Sequence, residues 1–146
     1  MADKQLQQVL RWEQDKEDRL ARDFQQAQQH WQLQRSKLSG LENYRLDYLR
    51  QLQQKGTQGL KALSFGQHQA FIGKLDKACE EQNKIIAKAQ MVAEQRKGQW
   101  LQQQKKRKAV EMLLDKKRQI QTLHEARQEQ KLLDEVSLQR FIRAQS

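Results

Sequence analysis

The chain of 146 residues has no proline, six glycines and one cysteine, and aromatics make up only 6% of it. Without proline, no position is obliged to kink or end a helix. A single cysteine, Cys79, forms no internal disulfide, which fits a reducing compartment. The opening stretch "MADKQLQQVLRWEQDKEDRL" lacks the apolar core of a secretory signal. No window approaches the ~18 consecutive apolar residues of a membrane span. A cytoplasmic location is therefore expected, with docking on a membrane complex left open. Apolar residues are scarce too: at 36% hydrophobic against 32% charged, the chain is short of the volume that a compact core of this length needs.

What is present favours helix. Glutamine alone accounts for 29 residues, and Leu, Lys, Arg, Glu and Ala supply most of the rest. Apolar side chains recur at alternating spacings of four and three along Leu6, Leu10, Glu13, Glu17, Leu20, Phe24, Ala27, Trp31, Gln34, Leu38, Leu41, Arg45, Tyr48 and Leu52. That is a coiled-coil seam rather than the face of a globular helix. A second seam runs through Ile72, Leu75, Cys79, Gln82, Ile86, Ala89, Ala93, Arg96, Trp100, Gln103, Arg107, Val110 and Leu114. Between the seams, "QKGTQGLKALSFGQ" holds Gly56, Gly59 and Gly66, and its "SFGQ" (Ser64 to Gln67) has the form of a capping box. Gly56 suits a left-handed cap just past the first helix.

The expected fold is all-α: one antiparallel two-helix coiled-coil hairpin spanning 1–146. Its first helix covers about 3–55, its tip loop 56–63 and its second helix 64–142. At 1.5 Å per residue the helices are roughly 80 Å and 110–115 Å long. Folding about residue 60 places Trp31 opposite Ala89, Leu20 opposite Trp100, Leu10 opposite Val110 and Tyr48 opposite Ile72. The second helix is then unpaired beyond about 115, leaving a C-terminal overhang.

Two surfaces stand out. Phe71, Ala78, Ile85 and Val92 recur every seven residues beside the second seam, with Tyr44 in the equivalent position on the first helix. Together Leu41, Tyr44, Tyr48, Phe71, Leu75 and Ala78 form either a half-exposed docking face or a thickening of an under-filled core. Charge is uneven as well. Between Arg96 and Arg118 lie nine basic and two acidic side chains, most of the formal net charge of +10. Such a run suits an anionic partner or is a solvated helix face. Nucleic-acid binding has weak support, because no base-stacking aromatics are interleaved. No phosphate-cradling glycine loop or dinucleotide fingerprint occurs. His30, His68 and His124 are far apart and make no metal-ligand spacing with Cys79. No enzyme, cofactor, metal or small-molecule substrate is indicated.

Four stretches in order, "ENYRLDYLRQL", "FIGKLDKACEEQ", Trp100 followed by "KKRKAVEMLLDKKR", and "EARQEQKLLDE", resemble the FliJ family of bacterial flagellar export stalk proteins. The resemblance covers nearly the whole chain. It implies an antiparallel coiled coil similar to the central stalk of rotary ATPases, with no catalytic residues. It further implies a soluble component of flagellar type III export, peripheral to the inner face of the cell membrane at the flagellar base. Its partners would be the hexameric export ATPase ring, the cytoplasmic domain of the membrane-embedded export gate, and export chaperones. The family's gate-binding surface maps onto Leu41, Tyr44, Tyr48, Phe71, Leu75 and Ala78, while Lys37 and Gln82 fall where family side chains differ. The ATPase end would hold Arg127, Gln130, Lys131, Asp134 and Glu135, with Lys105, Lys106, Arg107 and Lys108 on the same side. Two other readings stay open: the equivalent stalk of a virulence-type secretion system, and a basic hairpin that binds nucleic acid.

Overall fold

A computed structural model describes residues 3–55 and 65–145, and every described residue is helical. Helix α1 is Asp3–Lys55 and helix α2 is Phe65–Gln145, packed against each other as an all-α helical hairpin. The proposed cap at Gly56 and the capping residue Ser64 lie outside the described residues. Gly66 belongs to the first turn of α2, which runs on to Gln145. The chain divides into two compact units, Asp18–Leu101 and the combination of Met1–Glu17 with Gln102–Ser146.

Within each unit the two helices run antiparallel, and the numbers of paired residues sum to about 120. In the Asp18–Leu101 unit, Arg45 meets Asp76, Gln34 meets Gln82 and Asp23 meets Arg96. In the other unit, Glu17 meets Arg107, Glu13 meets Gln103 and Asp3 meets Lys117. All seam positions named from the sequence, on both helices, are buried or half-buried. The core is this seam and little more. Its buried apolar side chains are Leu6, Leu75, Ala89, Ala93 and Leu114. Each buried leucine contributes about 2 kcal/mol, and the alanines let the helices approach closely. Trp100 stacks on Phe24, rings 5.7 Å apart, one turn along α1 from the expected Leu20. An indole is long enough to reach across a turn, so the largest ring meets the other large ring rather than the residue level with it.

The four-three pattern has polar members, and the fold uses them in pairs. Gln34 and Gln82 are both buried. Gln82 Nε2 donates to the Gln34 main-chain carbonyl and to its Oε1, each at 2.9 Å. Gln103, also buried, donates to the Glu13 main-chain carbonyl at 3.1 Å and to the Glu13 carboxylate. A buried polar pair is stable only where both partners align, so each pair favours one register of the helices over a shifted one.

Candidate functional site

In the Asp18–Leu101 unit, an aromatic cluster gathers around the start of α2. Tyr48 is half-buried on the α1 seam and Phe71 half-buried on α2, their rings 4.8 Å apart. Tyr44, one turn before Tyr48, meets the Phe71 ring edge-on at 6.3 Å and 71°. Tyr44 keeps 55% of its surface exposed, because its place beside the seam leaves no side chain of α2 to cover its outer face. Leu41 and Ala78 are half-buried, and Leu75 is buried at 8% exposure. The fold thus unites Tyr44, Tyr48 and Phe71 in one contact cluster with Tyr44 outermost, while Leu75 belongs to the core. Ile85 and Val92 continue the heptad row as exposed residues, lining a shallow groove with Ala27, His30, Lys88 and Ala89.

His68 completes the cluster and was missed as a lone histidine. It is only 2% exposed, and its Nδ1 is hydrogen-bonded to the Tyr48 hydroxyl. The signal was available: extending the second seam back from Ile72 by four residues arrives at His68. On the flank, Arg45 Nε donates to Asp76 Oδ1 at 2.6 Å. With both side chains more than a third exposed, that pair contributes at most about 1 kcal/mol.

In the other unit, the basic run separates into two populations. Arg107 is a structural residue. Its guanidinium grips Glu17 with two bonds, Nε to Oε2 at 2.7 Å and Nη2 to Oε1 at 3.3 Å, while Nη1 reaches Glu111 at 2.6 Å. The bond from Arg107 holds the Glu17 carboxyl below its ordinary value of 4.5, against an opposing push from burial. The two acids in turn raise the Arg107 pKa further above its already high value. Lys117 pairs with Asp3 at 4.0 Å. Lys105, Lys106, Lys108, Lys116 and Arg118 are exposed, and among the described residues none of them makes an ion-pair contact.

Beyond Lys117, every described residue from Arg118 to Gln145 is exposed. Leu123, Leu132, Leu133, Leu138, Phe141 and Ile142 are among them, each more than half exposed. Successive apolar residues here point in different directions around the helix, so no single face is apolar. Arg127, Gln130, Lys131, Asp134 and Glu135 lie on this segment, where Gln130 donates to Asp134 at 3.0 Å.

Cys79 is a half-buried seam residue. Among the described residues no cluster of His, Cys, Asp and Glu could hold a metal ion, and no helix is long and apolar enough to cross a membrane. The family model described as flagellar FliJ protein matches residues 2–146. No curated protein and no solved structure matches the chain.

Proposed function

The chain belongs to the flagellar FliJ protein family, and from that premise we propose that it is the coupling stalk between the export ATPase ring and the export gate. Membership makes it a component of the flagellar protein export apparatus, in a family of structural, chaperone-like stalk proteins rather than known enzymes. The finer reading has three parts. The C-terminal segment of α2 enters the hexameric ATPase ring, the Tyr44–Tyr48–Phe71 cluster holds the gate's cytoplasmic domain, and the same protein receives export chaperones.

The observation that carries the reading is the exposed stretch Arg118–Gln145. A helix with large apolar residues pointing several ways and no packing of its own suits an environment that surrounds it, and a ring lumen is one. Its charges include Arg127, Lys131, Asp134 and Glu135, so contacts differ around the helix. One asymmetric helix cannot meet six ring subunits alike, and unequal contacts favour some subunit states over others. Arg107 leaves the proposed contact set, because its guanidinium is committed to Glu17 and Glu111.

The test is hexamer formation by the ATPase, followed by sedimentation, with the full chain and with a chain ending at Arg118. The reading expects the full chain to shift the ATPase toward hexamer and to co-sediment with it, and the shortened chain to do neither. Equal activity of both chains would move the contact elsewhere.

A further inference from the structure

Three of the lysines that make no ion pair, Lys105, Lys108 and Lys116, share a feature beyond charge that Lys106 does not. Lys105, Lys108, Met112, Lys116, Leu123 and Arg127 fall within an arc of about 100° at ~100° of rotation per residue. All six are exposed. The seam residues Gln103, Val110 and Leu114 lie about half a turn away, so this face of α2 points away from α1. Its apolar members are open to solvent, with Met112 71% and Leu123 53% exposed. Basic positions recur at eleven residues (Lys105, Lys116, Arg127), and so do the apolar ones (Met112, Leu123). Eleven residues span three turns almost without drift, so the pattern makes a nearly straight row along the helix. Asp115 is the acidic residue at its margin.

We infer that this face of α2 docks on an anionic phospholipid surface, with Met112 and Leu123 dipping between headgroups and Lys105, Lys108, Lys116 and Arg127 holding the phosphates around them. A straight, convex row suits a flat surface rather than a cleft. Long lysine stems lie along apolar neighbours while their ammonium groups reach outward, as in helices that lie on membranes. Nucleic acid is the poorer occupant, because the face presents no aromatic side chain for base stacking. An acidic protein is the other competitor, and the experiment separates it. The inference goes beyond the stalk reading and needs neither ring nor gate; Leu123 and Arg127 lie in the segment proposed to enter the ring, so ring and lipid are alternative occupants of that end of the row.

The test is co-sedimentation of the full chain with vesicles of phosphatidylcholine alone and of equal parts phosphatidylcholine and phosphatidylglycerol. Binding is expected only to the anionic vesicles, and it should fall steeply as salt is raised. Each lysine at an anionic surface contributes about five-fold, so Lys105→Gln, Lys108→Gln and Lys116→Gln together should weaken binding on the order of 100-fold. Met112→Gln with Leu123→Gln should weaken it by ~10-fold or more. A control losing the same charge from α1 (Lys4→Gln, Arg11→Gln, Lys16→Gln) should bind nearly as the parent does. All these side chains are exposed, so circular dichroism should report unchanged helix content. No binding by the parent chain overturns the proposal. So does an equal loss in the α1 control, which would reduce the effect to net charge. If the triple lysine variant binds vesicles normally yet loses ATPase stimulation, the face belongs to an acidic protein and the lipid assignment is refuted.

Discussion

Replacing the buried glutamine pair by leucine tests the claim that polar seam positions work as matched pairs. Gln82→Leu removes two 2.9 Å hydrogen bonds and leaves the Gln34 side chain, 6% exposed, without that partner. Stranding a buried polar group costs about 1–3 kcal/mol, and a buried leucine returns about 1.5–2 kcal/mol. The single variant should therefore be destabilised by up to about 1.5 kcal/mol, with Gln34→Leu similar. The double variant strands no side chain and buries two leucines, so it should be at least as stable as the parent, by up to about 2 kcal/mol. Urea unfolding followed by circular dichroism measures all four chains of the cycle. Coupling of about 1–3 kcal/mol is expected, and effects that simply add to within ~0.5 kcal/mol would refute the pairing argument.

The Glu17 carboxyl is held below its ordinary value of 4.5 by Arg107, so the stability it contributes is present above that value and lost as pH falls through the lower folded value. Acid unfolding of Glu17→Gln should accordingly show a shallower fall in stability below pH 4.5 than the parent, and identical profiles would contradict the assignment. Gly40, Gly73 and Gly98 sit inside helices where an added Cβ meets nothing within 4 Å. Converting all three to alanine should raise stability by about 2–3 kcal/mol and increase the thermal midpoint, without changing partner binding. At the aromatic cluster, Tyr44→Ala should weaken capture of the gate's cytoplasmic domain while lowering the unfolding free energy by only about 0.5–1.5 kcal/mol, the loss of its edge contact with Phe71. Leu75→Ala should instead cost about 2–4 kcal/mol of stability, because Leu75 is in the core at 8% exposure.

The helices and their seam were legible because alternating spacings of four and three persist through both. One side of every seam position lies against the partner helix, and the pattern records that directly. The polar pairs were harder to see. Glu13, Glu17 and Gln34 read as interruptions until Gln103, Arg107 and Gln82 stand opposite them, and that requires the register to better than one turn. Arg107 illustrates a second limit. Counting charge along "KKRK" groups four side chains that the helix points in different directions, one of them inward to Glu17. His68 shows a third: a histidine was weighed as a ligand rather than tried as the next seam position. In the aromatic cluster, Tyr44 and Phe71 were named from the row beside the seam and Tyr48 from the seam itself, and both tyrosines contact the Phe71 ring. Of its neighbours, Leu75 was already a member of the second seam, and it lies in the core. The four quoted stretches pointed to a family whose model matches residues 2–146.

The stalk account is tested most directly by steady-state ATP hydrolysis of the cognate export ATPase, held at a concentration where its hexamer is incomplete, with and without the full chain. The account predicts a higher rate accompanied by more hexamer, and loss of both when the chain ends at Arg118. An unchanged rate with no complex formed would contradict it.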